Sequence, residues 1–476
     1  MGTSSGSTSK SISSPSTASV NATISRRKSL ALTGLSLGYF MVLLDTTIVT
    51  VALPAIHSDM GGSFTSLEWV VNAYTVLFAS LLLNMGSLSD RYGAKRIFSG
   101  GLILFAAASA LSSSAHSLGL LILLRGLLGM GGAAMTSASL ALIAFIYQDD
   151  AKKRTQALGI FASVSGVALA AGPVIGGLLV DWVGWRSIFL MNLPIAVLSL
   201  LLIIPCVRET RRNTGRSLDL AGQLTSTLFF LSLTFALVEG NSLGWGSNLV
   251  TSAFVAAVAS LLLFAFIEVR SKSPMLPMRL LRQRSISAGL AAGLAVNFGL
   301  SGCLFVLTFF FQQHRGYSAL LTGLAFLPLT FPMMANPMFT SRIVNRVGVR
   351  IPMICGFFVT AVGAAILTAA SGASYWLLSI GLFFFGYGLS LTIPPLVTSV
   401  VSAAPPGQAG VASGALNSVR QLGAALGVAI LSLFMYGAGN PAEIVTSTAG
   451  VSAALLASVF VLAGGGIVTL LFIRKQ

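Results

Sequence analysis

Long apolar stretches separated by short polar loops fill most of the chain. A helix needs about 20 apolar residues to cross the hydrocarbon core of a bilayer, and fourteen stretches come near that length. The runs are continuous and do not alternate between apolar and polar positions, which favours helices over a membrane barrel. The predicted spans are 30–53, 68–88, 97–114, 118–146, 155–180, 186–206, 218–239, 248–268, 286–311, 319–341, 350–370, 374–402, 412–434 and 449–472.

Three parts of the chain depart from this regular pattern. The stretch 97–114 is short for a span, and the stretch 374–402 contains Pro394 and Pro395, which we expect to bend or end its helix. The first 29 residues are rich in Ser and Thr and too polar to pack a core. They are predicted to form a disordered cytoplasmic tail.

The composition agrees with a membrane protein. Of 476 residues, 55% are hydrophobic and only 8% are charged, whereas a soluble domain carries about 25% charged residues. The mean hydropathy is +0.89. Such a chain has too little charge to coat a water-facing surface, which excludes a soluble enzyme and a disordered protein.

The net charge of +16 results from 28 Lys and Arg against 12 Asp and Glu. With fourteen spans, the basic residues fall almost entirely on the side of both chain ends. The exceptions are Arg186 and Arg315 in outer loops and Arg125 and Arg420 inside spans. Because Lys and Arg concentrate on the cytoplasmic side, both termini are predicted to be cytoplasmic, in the cytoplasmic (inner) membrane. The charge orients the protein and does not indicate nucleic-acid binding.

The chain resembles itself at an offset of 255 residues. The segment 86–95 aligns with 341–350. At the same offset Gly159 pairs with Gly414, Ser163 with Ser418, and Gly172 with Gly427. The predicted domains are an N-terminal six-helix bundle (30–206), a linker with inserted helices 7 and 8 (207–285), and a C-terminal six-helix bundle (286–476). Two repeated bundles with a site between them are typical of a transporter that works by alternating access.

The sequence shows no constellation for enzyme chemistry. The three Cys and three His are scattered, and no phosphate-binding loop, catalytic-nucleophile motif or zinc motif occurs. We therefore predict that the chain is not an enzyme, has no cofactor or metal site, and cannot by itself use ATP hydrolysis.

Asp45 and Arg125 are charged residues inside predicted spans. They lie about eight and seven residues from the outer ends of spans 1 and 4, or roughly 12 Å deep at 1.5 Å per residue. Each would cost about 2.5–3.5 kcal/mol at the centre of a lone helix. Their matched depth indicates a buried pair or a shared aqueous cavity. Leu382 replaces Arg125 in the second half, so the fold does not require a buried Arg in both halves.

A carboxyl group balanced between burial and a neighbouring guanidinium can load and release a proton, because these two influences oppose each other. We therefore expect Asp45 to carry a coupling proton, with Arg125 tuning it. A purely structural ion pair is the alternative.

Span 5 contains a run of small residues around one proline. Pro173 removes a helix hydrogen bond, and the glycines permit close approach of a neighbouring helix, which could seal one side of a cavity. The alternative is simple packing of small residues. The residues concerned are Gly166, Gly172, Pro173, Gly176 and Gly177.

Other polar residues in or beside spans are candidates for the cavity. Asn417, Arg420 and Gln421 lie about one turn apart in span 13, where functional and structural interpretations are equally open. Glu239 lies at the outer end of span 7 near Trp245. It could attract cations, but an interfacial charge beside an anchoring Trp is the favoured interpretation.

Several motifs together resemble the major facilitator superfamily, specifically its fourteen-helix drug:proton antiporter branch. The resemblance runs from about residue 30 to residue 472. The motifs are residues 86–96 between spans 2 and 3, residues 44–54 of span 1, residues 125–132 of span 4, residues 166–177 of span 5, and residues 69–75, 185–194 and 410–423.

The resemblance implies a proton-coupled efflux antiporter for toxic amphipathic compounds, commonly cations, in the lipid bilayer. It implies that Asp45 and Arg125 take part in proton coupling, and that the loop between spans 2 and 3 forms a cytoplasmic gate. The implied gate residues are Gly86, Asp90, Arg91, Gly93 and Lys95. A periplasmic adaptor protein would be a further partner if the chain comes from a Gram-negative cell.

This chain departs from the branch at two motif positions. Thr50 stands where Asn is usual, and Leu128 stands where Gln is usual, so the network around Arg125 is expected to differ. Span 10 also lacks a carboxylate, which argues against a strong preference for dications. The alternative function is a secondary transporter of one polar metabolite or of a self-made antibiotic.

Overall fold

Helices make up nearly all of the computed structural model, which describes residues 17–210, 219–271, 274–405, 408–435 and 447–473. Thirteen helices of the described residues are individually long and apolar enough to cross a membrane. They are α1 (Thr17–Met60), α2 (Phe64–Tyr92), α3 (Ala94–Ser113), α4 (Leu118–Ile146), α5 (Ala151–Trp182), α6 (Asn192–Cys206, preceded by the short turn Ser187–Leu190), α7 (Leu220–Leu243), α8 (Asn248–Arg270), α9 (Arg284–Phe309), α11 (Arg350–Ala369), α12 (Tyr375–Ala403), α13 (Ala409–Ser432) and α14 (Thr448–Phe472). The all-α membrane class and the predicted order of spans are confirmed.

The tenth predicted span is interrupted rather than continuous. It consists of α10a (Ala319–Ala325), α10b (Leu327–Ala335) and α10c (Pro337–Val347). The prolines of this segment cannot donate hydrogen bonds to the preceding turn, so the ladder breaks. Phe326 and Asn336 at the two breaks keep right-handed helical dihedral angles. The segment therefore continues across the fold as one interrupted helix.

Of the two outcomes expected for Pro394 and Pro395, a bend or an end of the helix, the structure rules out the end, because α12 continues through both residues. Pro394 has no N–H for the carbonyl of Ser390, four residues earlier. The Thr340 hydroxyl of α10c donates to that carbonyl at 3.2 Å instead. A neighbouring helix thus satisfies the freed group, which is how prolines are tolerated inside membrane helices.

The predicted tail also differs in part. Helix α1 already begins at Thr17, so the described portion of the segment 1–29 is helical and not disordered. Between Thr17 and Lys28 the chain has neither Gly nor Pro. Such residues can extend an existing helix, since adding a residue costs far less than nucleating a new one. Residues 1–16 lie outside the described part.

The two halves of the chain repeat one pattern of helix neighbours. In the first half α1 packs against α5 and α6, while α4 packs against α2 and α3. In the second half α9 packs against α13 and α14, while α12 packs against α10b and α11. The halves meet where α2 packs on α13 and where α5 packs on α10a and α10b. The pair α7–α8 packs beside them through α7, which contacts α2 and α13.

Equivalent residues make equivalent contacts at the inner ends of both halves. The Lys95 ammonium group, at the start of α3, donates to the Ile204 carbonyl of α6 at 2.8 Å. Arg350, at the start of α11, donates to the Leu470 carbonyl of α14 at 2.5 Å. These two basic residues are aligned by the 255-residue offset, so the repeat in sequence is a repeat of structure.

Candidate functional site

Asp45 and Arg125 form an ion pair in the core of the first half. Nη1 of Arg125 on α4 contacts Oδ2 of Asp45 on α1. Their side chains are 0% and 1% exposed. Of the two arrangements predicted from their matched depth, the structure shows the buried pair.

The remaining contacts of Arg125 come from α2. Its Nε donates to the Val70 carbonyl at 2.9 Å, and its guanidinium lies 4.6 Å from the centre of the Tyr74 ring. The Tyr74 hydroxyl in turn donates to the Val42 carbonyl of α1 at 3.0 Å. Leu128, at the position where the branch usually has Gln, is fully buried. The Val70 carbonyl and the Tyr74 ring therefore contact Arg125 in a site that has no Gln amide at position 128.

The second oxygen of Asp45 faces α6. Nδ2 of Asn192 lies 3.5 Å from Oδ1 of Asp45, a long hydrogen bond, and also donates to the Ser109 hydroxyl of α3 at 3.0 Å. The Ser109 hydroxyl donates to the Phe189 carbonyl at 2.8 Å. The carboxylate thus belongs to a network of five helices within one half. A change in the charge of Asp45 would therefore alter the hydrogen bonds of all five helices, because a buried network with unsatisfied hydrogen bonds is costly.

The loop between α2 and α3 is held by the segment that follows α6. Gly93 takes a φ of +100°, and it ends α2 and precedes α3. The carboxylate of Glu209 accepts from the Lys95 backbone N–H at 3.0 Å and lies 3.7 Å from Nε of Arg96. The Thr210 hydroxyl accepts from the Ala94 N–H at 2.8 Å. An acid at a helix N-terminus is favourable, so these contacts fix the turn.

The other predicted gate residues lie beside this turn. Gly86 and Asp90 are in the last two turns of α2, and Arg91 places its guanidinium 5.5 Å from the Tyr92 ring centre. The structure therefore gathers the loop residues at the inner end of the first half. Their role as a gate stays a prediction.

The small residues of α5 face two different helices. Gly172 and Gly176 lie against α1, where a Cβ on Gly172 would overlap Oγ1 of Thr47 and one on Gly176 would lie 2.8 Å from Cγ1 of Ile48. Neither position leaves room for a side chain. This face of the motif packs α5 within its own half.

An adjacent face of α5 packs against the second half. A Cβ on Gly177 would overlap the Ala319 carbonyl of α10a, and one on Gly166 would lie 3.2 Å from the Met333 carbonyl of α10b. From the other side, a Cβ on Gly323 would overlap the Pro173 carbonyl. Glycines on both helices thus let the two backbones touch, as small residues do in membrane helix pairs.

A carboxylate completes this contact at the outer end. Oδ1 of Asp181 accepts from the Ala319 N–H at 3.1 Å, and Oδ2 accepts from the Leu320 N–H at 3.0 Å. Asp181 at the end of α5 therefore caps the N-terminus of α10a across the boundary between halves. Aromatic packing of Phe64 on Phe309, with ring centres 5.1 Å apart, adds a second contact between halves at this end.

The inner part of the same boundary is open. Leu158 and Ile160 of α5 are 38% and 53% exposed, and Phe339 of α10c is 58% exposed. The two halves are therefore in contact at their outer ends and separated at the inner ends of α5 and α10. Contact at the outer ends together with separation at the inner ends is the arrangement expected of an inward-facing state.

A mixed polar and aromatic group lies between the halves near mid-depth. The Tyr39 ring of α1 stacks on Phe161 of α5 with centres 4.1 Å apart. In the second half, Nε of Arg420 donates to Oδ1 of Asn297 at 3.2 Å. Arg420 lies near Tyr39. Arg420 is only half-buried, as are its helix neighbours Asn417 and Gln421.

Glu239 does not belong to this central group. Its Oε1 accepts from Nε1 of Trp69 at 2.9 Å, and its Oε2 accepts from the Ser242 hydroxyl at 2.6 Å. The contact with Trp69 joins the outer end of α7 to α2. The contact with Trp69 agrees with the favoured interpretation of an interfacial charge, and a role for Glu239 in the cavity stays an untested prediction.

Comparison with known protein families supports the family resemblance that the motifs indicate. The model of the Major Facilitator Superfamily matches residues 35–428. This chain belongs to the major facilitator superfamily. It is therefore a multi-pass membrane transporter that acts on small molecules, and the repeated halves described above are those of this fold.

Curated relatives carry names of resistance and export proteins. The "Multidrug resistance protein Stp" of Mycobacterium tuberculosis is 34% identical over 86% of this chain and 76% of its own length. The "Methylenomycin A resistance protein" of Bacillus subtilis is 34% identical over 91% of this chain and 94% of its own. The "Tetracenomycin C resistance and export protein" of Streptomyces glaucescens is 32% identical over 85% and 75%.

Within this superfamily member, several site residues had no assigned role from sequence alone. Tyr74 and Asn192 lie in motifs recognised above, yet only the fold shows that they contact Arg125 and Asp45. Asp181, Glu209 and Asn297 carried no motif signal. Asp181 follows the Gly176–Gly177 pair by one turn, and that spacing was the available hint that it faces the same neighbour.

Replacing Asp181 by Ala should loosen the outer contact. The substitution removes the acceptors of the Ala319 and Leu320 N–H groups and leaves the Ser318 hydroxyl on the Leu321 N–H, and loss of such a cap costs about 1 kcal/mol. Hydrogen–deuterium exchange of residues 318–322 should therefore become about fivefold faster, at 1.4 kcal/mol per tenfold. Asp181→Asn keeps one acceptor and should have a smaller effect. Unchanged exchange in Asp181→Ala would contradict this role.

Proposed function

We propose that this chain is a proton-coupled exporter of amphipathic small molecules that works by alternating access. The observation that carries the proposal is the fully buried Asp45–Arg125 pair inside a half whose inner boundary is open. The Asp45 carboxylate stays paired with Arg125 as long as the surrounding hydrogen bonds are intact. It can exchange a proton only when the helices around it rearrange.

The direction of transport is supported by the relatives. Proteins named for multidrug resistance, antibiotic resistance and antibiotic export align with most of this chain. The glycine-rich face of α5 provides a tight outer closure, which an exporter needs to prevent proton leak while it loads substrate from the inside.

A resistance panel tests the proposal. The chain is expressed in a bacterium that lacks its main efflux pumps, and growth is compared across dyes, quaternary ammonium compounds and antibiotics. We expect protection against at least one class of compound, and we expect an uncoupler to abolish it. A chain that is present in the membrane but protects against no compound would contradict export, and protection unaffected by the uncoupler would contradict proton coupling.

A further inference from the structure

We propose that the transport site takes amphipathic compounds that carry an anionic group, such as a carboxylate, and that Arg420 binds this group. The proposal rests on the exporter function above and specifies its substrate class. It differs from the amphipathic cations that the family resemblance implies. Four observations carry it: the position of Arg420, its free donors, the charges around it and the aromatic pair opposite.

Arg420 lies where a substrate would sit. It is near the midpoint of α13, and its stem passes over Gly293 of α9, where a Cβ would lie 3.1 Å from Cγ of Arg420. Its guanidinium donates to Asn297 of α9 and lies near Tyr39 of α1. It therefore lies between the two halves at the depth where secondary transporters bind their substrates.

The Arg420 guanidinium has donors to spare. A guanidinium carries five N–H donors in a planar fork that matches a carboxylate. Among the residues that the structure describes, Arg420 makes one hydrogen bond, from Nε to Asn297. It is half-buried, in contrast to Arg125, which is 1% exposed and committed to Asp45, Val70 and Tyr74.

Within the described ranges, no carboxylate forms an ion pair with Arg420. The four ion pairs found there involve other residues. The acids at the outer and inner helix ends are Asp59, Asp181, Glu239, Asp90, Asp149, Asp150, Glu209, Asp219 and Glu268, and Glu68 is buried in the outer part of α2. Glu443 lies outside the described residues. Asp45 is already paired, so the positive charge of Arg420 dominates the central space.

The opposite wall suits the apolar part of such a compound. Tyr39 stacks on the buried ring of Phe161 with an angle of 11° between their planes, so the first half contributes a partly exposed aromatic ring held flat by a buried one. A carboxylate on Arg420 and an apolar body against this pair would bind one compound to both halves at once. Burying a cation beside an unpaired guanidinium would be repulsive.

Uptake of two matched fluorescent probes tests the proposal. Inverted membrane vesicles energised by respiration are supplied from outside with 1-pyrenebutyrate or with 4-(1-pyrenyl)butyltrimethylammonium. The two probes share a pyrene ring on a short alkyl chain and differ in head-group charge. Uptake is measured relative to vesicles without the chain. We expect chain-dependent uptake of pyrenebutyrate that exceeds that of the cation.

Variants of Arg420 separate charge recognition from a structural role. Arg420→Gln should lower uptake of pyrenebutyrate about tenfold, since a hydrogen bond to a charged group is worth about 1.5 kcal/mol or more and 1.4 kcal/mol is tenfold. Arg420→Lys should retain part of it. Arg420→Glu should shift the preference toward the cationic probe, which a structural role would not do. Arg284→Gln removes an exposed charge at the inner end of α9 and serves as the matched control.

Two outcomes would overturn the proposal. One is chain-dependent uptake of the cation that equals or exceeds that of pyrenebutyrate and is unaffected by Arg420→Gln. The other is absence of chain-dependent uptake of pyrenebutyrate. In either case the resistance panel decides separately on the exporter function, because protection that an uncoupler abolishes would leave that function standing without this substrate class.

Discussion

Asp45→Asn should eliminate transport driven by a pH gradient and leave the protein folded in the membrane. Asn has the shape of Asp and keeps an oxygen that accepts from Arg125, so the network loses its exchangeable proton with little change in packing. Arg125 keeps its bond to the Val70 carbonyl and its contact with the Tyr74 ring. We expect uptake into energised inverted vesicles to fall to the level of vesicles without the chain.

Asp59→Asn is the matched control for this result. Asp59 also lies on α1 and also pairs with an arginine, Arg186, but at the outer end, where the Asp59 side chain is 46% exposed. Exposed ion pairs contribute little, typically under about 1 kcal/mol. This variant should retain transport. Full pH-driven transport by Asp45→Asn, at normal membrane abundance, would show that the coupling proton is carried elsewhere.

Gly177→Ala should make closure of the outer ends of the two halves less favourable. The added Cβ would overlap the Ala319 carbonyl, and a backbone cannot yield as a flexible side chain can. Overpacking costs about 1–3 kcal/mol, so the inward-facing state should become about tenfold less populated, at 1.4 kcal/mol per tenfold. Transport should slow to a similar degree.

The change in closure can be measured directly. With the three native cysteines replaced, Ala319→Cys provides a reporter that is 5% exposed in the closed contact. An impermeant maleimide added outside cells should label it faster when Gly177→Ala is present. The same Ala substitution at Gly159 of α5, where a Cβ meets nothing within 4 Å, should leave labelling and transport unchanged. Equal labelling in both variants would contradict the role of this glycine.

The number and order of helices could be predicted because the bilayer imposes one requirement along the whole chain. About 20 apolar residues in a row are recognisable whatever lies beside them, and the basic residues then reveal the orientation. Local exceptions were less predictable. Pro394 and Pro395 stay within α12 because Thr340 of another helix satisfies the Ser390 carbonyl, whereas the prolines of α10 divide it into three helices.

Some residues of the candidate site could likewise be predicted from sequence, and others could not. Asp45 and Arg125 could be singled out from sequence because a charge inside an apolar span is expensive and therefore conspicuous. Glu239 was placed at the outer end of its span, where an interfacial charge was the favoured interpretation, and the fold places it beside Trp69. Which polar residues share a cavity depends on how separate helices are rotated and packed. Hydrophobicity along one helix does not encode that rotation when the helix is apolar on nearly every face.

The sequence by itself determined the class of this protein, its repeated halves, its orientation and the pair of buried charges, since each of these leaves a signal in consecutive or periodically spaced residues. Only the tertiary structure decided that Asp45 is sealed by α4 and α6, that Gly177 and Gly323 close the outer boundary, and that Arg420 faces Tyr39 without an acidic partner among the described residues. These facts depend on contacts between residues far apart in the chain. Such contacts arise from packing of the complete helix bundle and leave no local trace.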